Sequence, residues 1–91
     1  MRLEFDPAKN EANRREHGMG LNDFLGFNLE PLVGIDDRED YGELRHVALG
    51  FCDGRLCSLV FTERGDAWRL ISFRKATKNE AKAYERATSG R

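Results

Sequence analysis

The Asp53-Gly54 pair constrains the fold most strongly, because it separates two strand-length runs of alternating apolar and polar residues. Asp-Gly is preferred in the two-residue turns of β-hairpins, where both central residues adopt positive φ. One run precedes this turn at residues 44–52 and the other follows it at residues 55–63. A second turn at residues 64–66 leads into a third run at residues 67–74. The pattern therefore predicts an antiparallel meander of three strands.

Helix-capping signals lie on both sides of this meander. Residues 2–5 form a strand-length run, and then Asp6-Pro7 marks the start of a helix that reaches about Glu16, with Gly18 as its C-cap. The tetrapeptide Thr77-Lys78-Asn79-Glu80 is a capping box, which predicts a second helix extending to residue 87. Between them we expect a short helix over residues 22–27, a strand over 32–35 and an exposed acidic loop over 36–43.

These elements predict an α+β fold in a single domain covering residues 1–91. We expect a mostly antiparallel four-stranded sheet, with the N-terminal and C-terminal helices packed on it.

The hairpin register assigns side chains to the two faces of this sheet. One face carries apolar side chains, and we predict that it is the core beneath the helices: Val47, Leu49, Phe51, Leu56, Val60, Ile71 and Phe73. The other face is apolar at one end and small and cationic at the other, with Arg74 near Cys57 and Gly50. An arginine among small residues leaves room for a ligand; alternatively, Arg74 covers its neighbours and extends to water.

Charge is divided unevenly along the chain. Residues 1–54 hold 6 Lys/Arg and 12 Asp/Glu, whereas residues 55–91 hold 9 Lys/Arg and 4 Asp/Glu, which together give the net charge of −1. A folded chain of this kind can present a basic face to phosphate and an acidic face to a basic partner, or the two halves can neutralise each other.

Several protein classes are not indicated. No apolar run approaches the roughly 18 residues that span a bilayer, and the charged N-terminal stretch lacks a signal core, so we expect a cytoplasmic protein without membrane contact. Cys52 and Cys57 lack the spacing of a zinc site or a disulfide framework, and we expect reduced thiols. No cofactor or metal is predicted, since nucleotide-binding and metallohydrolase motifs are lacking.

Two groups of polar residues are candidates for chemistry. Lys9, Asn13 and His17 follow one another at helical spacing and form one stripe, which could bind phosphate and move a proton or be an ordinary solvated helix face. The second group is cationic and suits an RNA backbone, although it is equally typical of a solvated sheet edge: Arg64, Arg69, Arg74, Lys75 and Lys78. Tyr41, Trp68 and Tyr84 could stack on bases, or pack as ordinary aromatics.

Three segments resemble the BrnT family of toxins from type II toxin–antitoxin modules: FDPAKNEANRREHG, DDREDYGELRHVALG and VFTERGDAWRLISFRKATKNEAKAYE. The resemblance extends from about Phe5 to Tyr84, with little family signal in residues 19–33. The positions that match the family pattern are Asp6, Lys9, Asn13, His17, Gly18, Asp37, Arg45, Gly50, Glu63, Arg64, Gly65, Arg69, Ser72, Arg74, Ala76, Glu80 and Tyr84. Phe5 and Phe73 depart from it, since the family often has tryptophan at the first and a small residue at the second.

The resemblance implies a RelE-like fold and a ribonuclease that blocks translation by cutting RNA. It also implies a cognate BrnA-like antitoxin with a ribbon-helix-helix part, in a hetero-oligomer that can contain a toxin dimer. As a site hypothesis, Arg64 and Arg74 bind the phosphate with help from Lys9, and His17 or Glu63 is the general base or acid. Tyr84 stacks or donates a proton, and the RNA-binding residues are Asn13, Arg45, Arg69, Lys75 and Lys78. The alternative is a non-catalytic or degenerate toxin-like module that binds an antitoxin-like protein or RNA.

Overall fold

The computed structural model of the protein describes residues 2–89, in which two helices accompany a five-stranded mixed sheet. The elements in chain order are β1 (Arg2–Glu4), α1 (Pro7–His17), a 3₁₀ turn (Leu21–Asp23), β2 (Leu32–Ile35), β3 (His46–Cys52), β4 (Arg55–Arg64), β5 (Ala67–Lys75) and α2 (Lys78–Thr88). The strand order is β1-β5-β4-β3-β2, and only β1 is parallel to its neighbour. The α+β class is confirmed, but the prediction of four strands was wrong because β1 joins the sheet as a fifth, parallel strand.

The turns and caps follow the sequence signals closely. Asp53 and Gly54 have φ of 54° and 78°, and β3 and β4 pair in the predicted register, with Cys52 opposite Arg55. Asp6 accepts a hydrogen bond from the Ala8 amide at 2.9 Å and caps α1. The predicted helix over residues 22–27 was wrong: only the 3₁₀ turn forms, and the chain then leaves helical geometry, so that Gly26 has a φ of 121°.

A β-bulge changes the register between β4 and β5. Phe61 lies opposite Leu70, whereas Val60 lies opposite Ser72, so Ile71 is an extra residue on β5. The extra residue moves the end of β5 to the opposite face from that expected for a regular hairpin. The predicted position of Arg74 near Cys57 and Gly50 was therefore wrong.

The core lies on the face of the sheet that was expected to be partly cationic. Its buried residues are Leu21, Phe24, Ala48, Cys57, Leu59, Phe61, Leu70 and Phe73. Of the residues predicted to form the core, Val47, Leu49, Phe51, Leu56 and Ile71 are only half-buried. Val60 is buried, but on the face opposite the main core, and Phe73 is buried in the core because the bulge moves it across. Both faces of the sheet carry apolar side chains, so the sequence pattern did not indicate which face the rest of the chain would cover.

The core is covered by the irregular segment after α1 rather than by a helix. Phe24 packs edge-on against Phe27 and Phe73, with ring centroids 5.0 and 5.4 Å away. Gly50 makes this close packing feasible, since a Cβ there would lie 2.7 Å from the Phe27 ring and 2.9 Å from Cβ of Pro31. The expectation that both helices pack on the core was therefore wrong.

The helices border the sheet elsewhere. Asn13 of α1 is buried and bonds the edge of β5, where its amide accepts from the Phe73 amide at 3.1 Å and donates to the Phe73 carbonyl at 2.7 Å. Tyr84 of α2 contacts Phe51 edge-on, at 5.4 Å between ring centroids. Within residues 2–89 neither helix is long and apolar enough to cross a membrane.

Within residues 2–89, strands β3 to β5 and the residue before β3 place four arginines on the face opposite the core, and we call it the arginine face. Arg74 lies opposite Ser58, and beyond the bulge Arg69 lies opposite Thr62, with strand alternation placing both on this face. Arg45, which precedes β3, and Arg64, which ends β4, join them through the shared carboxylate of Glu43.

Candidate active site

A hollow of about 460 Å³ lies on the arginine face, between the end of α1, the start of α2 and the acidic segment 36–43. Small and apolar side chains of the central strands form its floor: Val47, Ser58, Val60 and Ser72. Ile35 at the end of β2 and a set of polar and charged side chains line the rest: Glu16, His17, Asp36, Asp37, Arg38, Arg74 and Glu80. The sequence hypothesis placed His17 and Arg74 in one site, and the structure brings them to the same hollow.

Arg74 is fixed in the hollow by the carboxylate that also caps α2. Its Nη1 and Nη2 donate to the two oxygens of Glu80 at 2.8 and 2.9 Å. The same carboxylate accepts from the Thr77 amide at 2.8 Å, in the predicted capping box. The hydrogen bonds from Arg74 lower the pKa of Glu80 to about 2, and the pair raises the pKa of Arg74.

The Arg74–Glu80 pair leaves part of the guanidinium available. Glu80 binds the two terminal nitrogens, Nη1 and Nη2, and Nη1 also donates to the Lys75 carbonyl at 3.2 Å. Guanidinium has five N–H donors, so Nε–H and one Nη2–H of Arg74 have no partner within residues 2–89. These two donors form the side-on fork that matches two oxygens of a phosphate.

A second arginine reaches the hollow from the acidic segment. Arg38 donates from Nε and Nη2 to Asp36 at 2.7 and 2.8 Å, and Tyr41 donates to the same carboxylate at 3.3 Å. Hydrogen bonding from Arg38 lowers the pKa of Asp36 to about 2 despite its burial. The expectation of a wholly exposed loop was therefore wrong at Asp36.

The stripe on α1 borders two adjoining hollows. His17 lies half-buried in the main hollow, with its Nε2 3.8 Å from Oε1 of Glu16. His17, Glu16 and Ser72 also line a smaller hollow of about 200 Å³, which Lys9 shares. Lys9 therefore lies beside the main hollow, in the smaller hollow that His17 separates from it.

Arg45 and Arg69 lie on the same face, farther along the strands. The Arg45 guanidinium covers the Tyr41 ring at 3.9 Å from its centroid, and its buried Nε lacks a hydrogen-bond partner within residues 2–89. A further hollow is lined by Arg45 and Tyr41 together with Arg38 and Glu16, which the main hollow also contains. This run of hollows extends from Lys9 to Arg45 across one face.

Arg64 and Glu63 lie at the other end of the sheet from Arg74. Arg64 pairs with Ala67, seven residues before Arg74 on β5, which corresponds to roughly 23 Å along a strand. Arg64 Nη2 lies 3.4 Å from Glu43, whereas Glu63 lies on the core side and contacts His46 Nε2 at 3.3 Å. Arg64 and Glu63 therefore do not line the hollow. The carboxylate that pairs with Arg64 is that of Glu43, not that of Glu63.

The remaining predicted site residues are peripheral or already engaged. Asn13 uses both amide protons, since it also donates to the Met19 carbonyl at 2.6 Å. Tyr84 is half-buried against Phe51, whereas Lys75 at the end of β5 and Lys78 at the start of α2 are exposed. Among residues 2–89, no three histidine, cysteine or carboxylate side chains group as a metal site would require.

The sequence analysis missed Arg38, Asp36 and Glu16 as parts of this site. Alternation of charges in DDRED resembled a solvated loop, and the only available signal was the Asp-x-Arg spacing, which permits a bidentate pair within a turn. Chemically, the hollow combines an imidazole with a guanidinium whose free donors suit an oxyanion. Four carboxylates surround them, so the hollow is not simply cationic.

A comparison with protein-family models identifies the family to which this chain belongs. A family model described as the ribonuclease toxin BrnT of type II toxin–antitoxin systems matches residues 5–80. The chain belongs to the BrnT family. The resemblance read from three segments is therefore confirmed, and the matched range includes every residue that lines the main hollow. A comparison with curated proteins gave no match.

BrnT membership has consequences for the whole chain. The family consists of type II toxins described as ribonucleases, so a ribonuclease toxin that works with an antitoxin is the function at family level. That description gives no site residues, and the geometry of the hollow supplies the candidates.

Proposed function

We propose that this BrnT chain is a metal-independent endoribonuclease whose reaction occurs in the hollow on the arginine face. The observation that carries the proposal is that His17 and Arg74, a guanidinium with two unpaired donors within residues 2–89, line one cavity with a small, partly apolar floor. Its substrate is RNA, cleavage inhibits translation in the cytoplasm, and a ribbon-helix-helix antitoxin of the BrnA type neutralises it.

RNA provides its own nucleophile, so the protein has few tasks. In the proposed step, His17 accepts the proton of the ribose 2′-OH as this oxygen attacks the phosphorus. The bond from phosphorus to the 5′-oxygen then breaks, and the leaving oxygen takes a proton from an acid or from water. The product is a 2′,3′-cyclic phosphate. A positioned general base contributes about 10²–10⁴-fold, and imidazole suits this role because its charge changes near neutral pH.

Arg74 stabilises the charge that develops on the phosphate oxygens. Fixed donors aimed at a developing charge contribute strongly to catalysis, because they need no reorganisation during the reaction. Glu80 fixes Arg74 in this way, and Lys9 adds charge from the adjoining hollow. Arg45, Arg69, Lys75 and Lys78 are proposed to contact the RNA backbone outside the hollow, with Tyr84 at its edge. Asn13 contributes by holding α1 in place.

Arg64 and Glu63 enter this proposal only as contacts to a distant part of the RNA. Arg64 lies on the arginine face, so a chain that follows this face would reach it. Glu63 contacts His46 on the other face, which leaves His17 as the proposed base.

The test is cleavage of a defined RNA by purified single variants in the presence of a metal chelator. We expect Arg74→Ala and His17→Ala each to lower the cleavage rate by at least 100-fold, following the magnitudes above. Arg55→Ala is the matched control, since Arg55 is an exposed arginine at the β3–β4 hairpin and lies outside the main hollow. Wild-type rates for both Arg74→Ala and His17→Ala would refute the assignment.

The second candidate function is a non-catalytic module that binds a protein partner. The observation that favours it is that Arg38 and Arg74 are both paired with carboxylates, so the hollow could accept a cationic side chain. Turnover separates the two functions: a non-catalytic module would leave RNA intact when the RNA is in molar excess.

A further inference from the structure

We infer that the free edge of β2 is a docking site for an extended, basic segment of the antitoxin, which adds a strand to the sheet. The inference rests on the antitoxin partner that family membership implies, and its tests measure binding rather than cleavage, although Ile35 at the end of β2 also borders the main hollow. In the part of the chain that the structure describes, residues 2–89, β2 is the last strand of the sheet and pairs only with β3.

The register shows which backbone groups of β2 face outward. The Asp36 amide donates to the Arg45 carbonyl at 2.8 Å, so this pair is of the hydrogen-bonded type. Hydrogen-bonded and non-hydrogen-bonded pairs alternate in an antiparallel ladder. Gly34, opposite Val47, therefore bonds towards β3, whereas Val33 and Ile35 direct their N–H and C=O groups away from the sheet.

Pro31 directly precedes β2, but residues 32–35 themselves contain none of the usual protection against an added strand. Free edges of soluble proteins are normally blunted by lysine, proline or a bulge. β2 has the sequence Leu-Val-Gly-Ile, a regular register, and exposed Val33 and Ile35 at 55% and 51% relative accessibility. A strand that pairs here would cover apolar side chains as well as satisfy the backbone, which is the physical basis of β-augmentation.

Charge identifies the occupant as a basic segment. Residues 30–43 contain six acidic residues and one basic residue. Arg38 is taken by Asp36, and the exposed carboxylates of Asp37, Glu39 and Asp40 have no ion-pair partner within residues 2–89. Lysine or arginine side chains beside an apolar strand would meet these carboxylates directly.

The same charges disfavour a second copy of this chain. A two-fold axis at the edge would make the two β2 strands antiparallel. Residues after one β2 would then approach residues before the other, so that Asp36 and Asp37 would face Glu30 of the copy. Like charges placed opposite each other across strands are destabilising, which favours a different, basic chain.

The decisive test is amide hydrogen exchange of the chain, free and bound to its co-expressed antitoxin. We expect the Val33 and Ile35 amides to exchange rapidly in the free chain and at least 100-fold more slowly in the complex. The Gly34 amide should be protected in both, because it already faces β3. This alternation distinguishes strand addition from simple coverage, which would slow neighbouring amides alike; absence of added protection at Val33 and Ile35 would overturn the inference.

Affinity measurements provide a second, independent test. Val33→Pro removes one outward donor, at a position where edge strands tolerate proline, and we expect at least a 10-fold weaker Kd. Val33→Ala, which keeps the N–H, is the matched control and should change Kd by less than 3-fold. Equal Kd for the proline variant and wild type would contradict strand addition.

Two further measurements test the contribution of the acidic residues and the possibility that the chain dimerises through β2. The double variant Asp37→Asn/Asp40→Asn should weaken antitoxin binding and flatten its salt dependence, whereas Glu85→Gln on α2 should not. A free chain that dimerises with protected Val33 and Ile35 amides would overturn the choice of occupant. All readouts are of binding, so an inactive ribonuclease site would leave them interpretable.

Discussion

Asn13 demonstrates how one side chain can take the place of a strand. β1 ends at Glu4, and the β5 backbone beyond that point would otherwise present an unpaired edge. The Asn13 amide bonds both the N–H and the C=O of Phe73 and also the Met19 carbonyl, at 3.1, 2.7 and 2.6 Å. It therefore ties α1, the covering segment and β5 together. An amide is needed here because it donates and accepts at the same time.

Replacement of Asn13 by alanine should be strongly destabilising. The change leaves buried backbone groups of Phe73 without partners, which costs about 1–3 kcal/mol per group. We expect the free energy of unfolding in urea to fall by roughly 2–4 kcal/mol. Asn79→Ala, at an exposed position of α2, is the control and should change it by less than about 0.5 kcal/mol. Equal stability of the two variants would contradict the structural role of Asn13.

At the level of elements, local sequence signals predicted most of the helices, strands and turns. The β-bulge in β5 was not predicted, and it made the predicted face of the residues after it wrong. Caps and turns at Asp6, Asp53-Gly54 and Thr77 depend on hydrogen bonds within a few residues, so the sequence alone locates them. The extra residue Ile71 depends on how β5 meets β4 and has no local signal. One such residue moves Arg74 to the other face, and this is why the register of a regular hairpin wrongly placed Arg74 near Cys57.

A matched pair of leucines tests which face of the sheet is the core. Leu59 on β4 is fully buried beneath the covering segment, whereas Leu49 on β3 is half-buried on the arginine face. We expect Leu59→Ala to cost about 2–5 kcal/mol in free energy of unfolding, the range for a buried leucine. Leu49→Ala should cost about half as much or less, since part of that side chain is already hydrated. A larger loss at Leu49 would restore the face that the alternation originally suggested.

For the whole molecule, two carboxylate–arginine pairs make stability depend on acid pH. The pKa of Asp36 is lowered from 3.8 and that of Glu80 from 4.5, each to about 2, by the hydrogen bonds from Arg38 and Arg74. A group whose pKa is lower in the folded chain stabilises that chain above its unfolded pKa. This contribution is present above about pH 5 and is lost as pH falls towards 2.

Urea unfolding between pH 7 and pH 2.5 should reveal this loss. We expect a fall in unfolding free energy of about 1–2 kcal/mol from each pair, smaller than the ideal linkage value because Arg38 and Arg74 remain partly in water. Glu80→Gln should be less stable than wild type at pH 7 and should lose less on acidification. Glu85→Gln, exposed on α2, should keep the wild-type slope; a Glu80→Gln profile parallel to wild type would contradict the assignment.

The two ends of the sheet differ in a way that bears on assembly. One end is the three-residue, charged β1, with Arg2 held by Glu4 and Asp66, and α1 closes the edge beyond it. The other end is the uncharged β2. The sheet can therefore be extended by another strand at the β2 edge but not at the β1 edge. Copies of this chain could therefore not join edge to edge into a continuous fibre, because every molecule in a fibre needs two open edges.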